Sequence, residues 1–145
     1  MKNILMAVKE IETETISSPI VEKTIELANA HSSKVYIIHV VPHSRNSPYN
    51  VDSEMFNREV DAGYSEIHES LKQYEKYMWD ANVDAEALLV QGSIINKILE
   101  ESERLATDLI IIGRHKHGPL YRVLMDHTDK GLLFRCSCPI MFVPV

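Results

Sequence analysis

Four short runs of apolar, mostly β-branched residues constrain this chain more than any other feature: Ile4 to Val8, Val35 to Val41, Leu109 to Ile112 and Ile140 to Val145. They do not alternate polar with apolar residues, so strands built from them have both faces covered. That pattern predicts a central parallel sheet with helices on either side. A fifth run, Ala85 to Val90, retains Glu86 and suits a strand nearer one edge.

Helical patterns fill the gaps between the runs. Ser18 and Pro19 read as an N-cap and a first helical residue, followed by an apolar stripe of Val21, Ile25 and Ala28. Phe56, Val60, Tyr64, Ile67, Leu71, Tyr74 and Met78 recur at steps of three or four, with the charged residues between them. A third helix opens at Ser93 and buries Ile95, Ile98, Leu99 and Leu105. A last one runs from about Asp126 to Arg135 and buries Leu132, Leu133 and Cys136. Strand and helix therefore alternate from end to end. Right-handed crossovers turn that order into a doubly wound α/β sheet. In such sheets ligands collect beyond the carboxyl ends of the strands, where the winding reverses, which points to the loop around Gly113.

The chain has 145 residues, the length of one domain, and its 45% apolar and 25% charged residues suit a globular core. A formal net charge of -6 argues against nucleic acid as a partner, since phosphate neutralisation needs a basic face. No apolar run approaches the roughly 20 residues that span a bilayer, and the start reads as a strand, not a signal peptide. Cys136 and Cys138 are too few for a disulfide framework, so a cytoplasmic location is expected. Nucleophilic catalysis finds no support: neither a G-x-S-x-G elbow nor a P-loop occurs.

The last third carries a more specific signal. Asp108 to His115 reads as a strand running into a glycine loop, and Cys138, Pro139 and the residues to Val143 as a final strand opened by proline. Ile4 to Val8, then His39 to Pro42, then Gly92 before a helix, follow in the same order. In this the chain resembles the universal stress protein family, whose loop has the pattern G-x2-G-x9-G-[ST]. The resemblance covers essentially the whole chain, residues 1–145, as a single domain. It implies five parallel strands in the order 3-2-1-4-5 with helices on both faces, an adenine-nucleotide alpha-hydrolase-like fold. It also implies a nucleotide pocket between the ends of the first and fourth strands.

Carried onto this sequence, that pocket comprises Lys9, Val41, Gly113, Arg114, His115, Lys116, Gly118, Asp126, His127 and Thr128. Its chemistry departs from the pattern where nucleotide is held. Gly113 is kept, but Lys116 replaces the second glycine and adds bulk where backbone meets phosphate. Asp126 replaces the third glycine and His127 the Ser or Thr. Asp126 is placed to cap the helix end that would attract phosphate, with Asp129 in the first turn adding negative charge. Lys9 stands where nucleotide-binding members carry an Asp, exchanging an acceptor for a donor. The expectation is a non-catalytic stress-response or regulatory module without a cofactor and without ATP binding.

Two alternatives remain open. One is a nucleotide- or anion-binding sensor, taking ATP, AMP or another anion among Lys9, Arg114, Lys116 and Arg122. The other is a metal-responsive module at His115, His117 and His127, although His115 and His117 do not share a helical face. The bland reading is preferred elsewhere. Cys136 and Cys138 are read as structural, His39 as a hydrogen-bonded core or strand-end residue, and Tyr64, Tyr74 and Trp79 as core or interface. The final strand, Ile140 to Val145, is an apolar sheet edge that invites cover. The resemblance implies a symmetric homodimer through it, with an unidentified regulatory protein as a further partner and no membrane.

Overall fold

The computed structural model describes residues 1–8, 17–41, 53–114 and 135–144, with backbone alone for 53–65 and 114. All five apolar runs become strands: β1 (Asn3–Ala7), β2 (Lys34–Val41), β3 (Ala85–Gln91), β4 (Leu109–Arg114) and β5 (Ile140–Pro144). Every neighbouring pair is parallel, in the order β3-β2-β1-β4-β5. The expected strand order is therefore the observed one, and the run carrying Glu86 does form an edge. Among the described residues, three helices stand between the strands: α1 (Pro19–His31), α2 (Ser53–Asp80) and α3 (Ile94–Arg104). The helix expected from Asp126 lies, apart from Arg135, outside the described residues.

Unbroken apolar runs are explained by two cores, one on each face of the sheet. Ile4, Met6, Val35, Ile37, Leu109 and Ile111 pack with Val21 and Ile25 of α1 and Leu71, Tyr74 and Met78 of α2. Leu5, Ala7, Ile38, Ile110 and Ile112 face the other way, against Ile98 of α3. Each Val, Leu, Ile or Met side chain among them contributes about 1.5–3 kcal/mol of transfer free energy when fully buried. In α3, Ile95 and Leu99 are half-buried rather than fully so. Among the described residues, no helix is long and apolar enough to cross a membrane.

Helix ends follow the expected residues with one difference. Ser18 takes the extended N-cap conformation and its carbonyl accepts from the Glu22 N–H at 2.9 Å, but its side chain makes no cap hydrogen bond. The neighbouring Ser17 hydroxyl instead donates to the Glu22 carboxylate at 3.0 Å, which also accepts from the Tyr77 hydroxyl at 2.6 Å. Glu22 thus ties the start of α1 to α2.

The outer edge of β3 is covered by side chains. Asp84 O and Gly92 N bond to β2, so even-numbered backbone groups face inward and those of Ala85 and Ala87 face outward. The Trp79 indole N–H donates to Ala85 O at 2.9 Å, and Glu75 Oε1 accepts from Ala87 N–H at 2.6 Å. Those two bonds are the ones that a single residue of a further parallel strand would make opposite Glu86. Glu75 is buried, and Lys72 Nζ stands 3.4 Å from its Oε2, an ion pair without a hydrogen bond. Trp79, expected in the core or at an interface, is not in the core: it is 53% exposed and serves the β3 edge through its N–H.

Candidate functional site

The winding reverses between β1 and β4, and Gly113, expected in a loop, lies within β4 itself, one residue before its end. Ala7 pairs with Ile112, so the last residues of β1 and Gly113 emerge side by side at the carboxyl end. Gly113 is half-buried and pairs with Val143 on its other side; Arg114 ends β4 opposite Pro144. On the far side of β1, Val41 ends β2 opposite Gln91, and its carbonyl accepts the Gly92 N–H at 2.9 Å. Val41 and Gly113 therefore flank the reversal point from opposite sides. Lys9, His115, Lys116, Gly118, Asp126, His127 and Thr128 lie outside the described residues, as do His117 and Arg122.

His39 belongs to this end of the sheet as well. Its Nδ1 lies 2.9 Å from Val8 O, the carbonyl of the first residue after β1. A carbonyl only accepts, so Nδ1 carries the proton and Nε2 is the acceptor of the neutral ring. The expectation of a hydrogen-bonded strand-end histidine is met. Its nearness to the reversal point could have been read from its place two residues before Val41, since alternate strand residues share a face. Val8 is pinned twice, because its own N–H donates to Ile38 O at 3.0 Å.

Gly92, at the corresponding end of β3, has φ +146°, a conformation that favours glycine, and an added Cβ would stand 2.8 Å from Lys97 Cε. It turns the chain into α3, whose N-cap Ser93 makes no side-chain bond to the helix.

The described ionisable groups with displaced pKa values sit at the opposite, amino-terminal end or beside it. Backbone N–H groups of Asn3 and Lys2 donate to Asp108 Oδ2 at 3.0 and 2.8 Å and hold its carboxyl below the usual range. The Glu86 carboxylate, 3.3 Å away, raises Lys34 through its hydrogen bond. Among the described residues, no group of three or more His, Cys, Asp or Glu side chains could hold a metal ion. Among the described residues, the carboxyl end offers backbone, apolar side chains and the anchored imidazole of His39.

The sequence pattern of the Universal stress protein family matches residues 1–144. The chain belongs to this family. A universal stress protein of Methanocaldococcus jannaschii is 24% identical over 134 residues, covering 88% of this chain and 75% of the relative. The structure of a universal stress protein family member from Burkholderia pseudomallei superposes with a TM-score of 0.70 at 19% identity, covering 99% of this chain and 96% of its own. A family member from Arabidopsis thaliana, solved with AMP bound, superposes with a TM-score of 0.67 at 19% identity, covering 99% and 92%. These two likenesses establish the universal stress protein fold.

Proposed function

We propose that this universal stress protein is a non-catalytic stress-response or regulatory module that works without ATP, as a symmetric homodimer. The observation that carries the reading is a set of sequence positions that the family pattern assigns to the pocket. Lys9, Lys116, Asp126 and His127 occupy the places where the nucleotide-binding pattern has an acid, two glycines and a Ser or Thr. Lys9 and Lys116 each bring a lysine, His127 adds bulk, and Asp126 brings a carboxylate to the helix end expected where phosphate would sit. Such a carboxylate is favoured at a helix N-terminus by the same unpaired N–H groups and dipole that attract phosphate, and it competes with it.

A second reading has its own support. The Arabidopsis neighbour holds AMP, and Gly113 and the reversal of winding are both retained here. On that reading the module senses a nucleotide or another anion at the altered pocket.

Reverting the four positions together separates the two. The variant Lys9→Asp, Lys116→Gly, Asp126→Gly, His127→Ser is expected to bind ATP at least about tenfold more tightly than the parent, about 1.4 kcal/mol, in a calorimetric titration. Equal affinities for parent and variant would refute the closed-pocket account.

A further inference from the structure

The two cysteines stand closer than a purely structural role requires. Cys136 and Cys138 lie on the bend between Arg135 and Pro139, both are free and half-buried, and their Sγ atoms are 3.4 Å apart. The Cys136 thiol also reaches the Cys138 carbonyl at 3.4 Å. A disulfide needs its sulfurs about 2.05 Å apart. Rotation about the side-chain bonds and a small adjustment of the bend cover the remainder. The ring that such a bridge closes spans one intervening residue, Ser137, and is strained. Strained bridges have high reduction potentials and are the labile ones. That strain disfavours a permanent staple and suits a bond that is made and undone.

We propose that Cys136 and Cys138 form a reversible oxidation site, where hydrogen peroxide converts the two thiols into an intrachain disulfide. The order of attack follows from their surroundings. Burial, then the hydrogen bond with Cys136, push the Cys138 thiol up to about 12, and Asp108 adds to this. Cys138 therefore keeps its proton and Cys136 is the first nucleophile. The Cys136 sulfur attacks one peroxide oxygen; the O–O bond breaks, an S–O bond forms, and the departing hydroxide takes up the thiol proton as water. Cys136 is then a sulfenic acid. The Cys138 sulfur attacks it, the S–S bond forms as the S–O bond breaks, and a second water leaves with the Cys138 proton. Two thiols have lost two electrons, and one peroxide has become two waters.

The carbonyl of Pro139, directly after the pair, accepts the N–H of Ile110, the first residue of β4 paired with β5, at 3.0 Å. Closing the bridge pulls on that bond, so the oxidised protein should exchange the Ile110 amide faster.

The test uses the full chain treated with hydrogen peroxide, followed by intact mass and iodoacetamide labelling. The expected product is lighter by two hydrogens, takes up no alkyl group, remains a single chain, and regains both thiols with dithiothreitol. Cys138→Ser should stall at a Cys136 sulfenic acid that dimedone captures, and Cys136→Ser should lose its remaining thiol several-fold more slowly. A product that gains oxygen without losing two hydrogens, or that links two chains, overturns the proposal. The wild-type mass readout stands whether or not either serine variant folds. Equal thiol loss in both variants overturns the assigned order of attack.

Discussion

At the scale of single residues, two positions carry consequences out of proportion to their size. Gly92 has a backbone conformation that a side chain strains, and a Cβ there meets Lys97. Gly92→Ala should lower stability by about 1–3 kcal/mol, read as a shift in the urea midpoint at unchanged slope. Asp108 holds the start of β1 to the start of β4 by accepting two backbone N–H groups. Its folded-state pKa is below its unfolded one, so its contribution is fully present above the unfolded value and is lost as pH falls through the folded value. Asp108→Ala should therefore unfold at lower urea than wild type at neutral pH. That gap should narrow as the pH drops below about 4. A gap that is constant from neutral to acid pH would remove the carboxylate as its cause. Neither role could be read from residue type: Gly92 was visible only as a helix approach, and Asp108 only as the residue before a strand.

Elements show most clearly what a sequence discloses and what it withholds. The strands were readable because burial on both faces removes polar alternation, a property each run carries within itself. Glu86 marked β3 as an edge for the same local reason. The periodic stripe of α2 placed Leu71, Tyr74 and Met78 in the core, where they lie. Glu75 and Trp79 were not readable. A charged residue between stripe positions belongs by default to solvent and a tryptophan to the core. Here the reverse holds, because the outer backbone of β3 needs one acceptor and one donor. That need arises only when strand and helix meet. Glu75→Ala should strand the Ala87 N–H and cost about 1–3 kcal/mol, with the Ala87 amide exchanging faster than its β3 neighbours. Unchanged exchange there would mean that the side chain does not protect the edge. For the candidate site, the reversal point and the placement of Val41 and Gly113 followed from the strand order that the family resemblance implied. The remaining pocket positions depended on a motif, not on the periodicity that betrays strands and helices.

At the scale of the whole molecule, the two sheet edges are treated differently. Among the described residues, side chains of α2 cover part of β3, whereas β5 presents Ile140, Met141 and Phe142 half-buried at the opposite edge. Apolar edges of that kind pair with another strand, and a two-fold axis lets a second copy supply it. Light scattering at micromolar concentration should report a dimer, and Phe142→Glu should shift it to a monomer with the same circular dichroism spectrum. A wild-type monomer would refute the assembly. The most direct measurement of the central claim is calorimetric titration of the unmodified protein with ATP and AMP. No binding tighter than about 100 μM, a little over 5 kcal/mol, is expected. Tighter binding of either nucleotide, abolished by enlarging Gly113, would contradict it and make the altered pocket a working sensor.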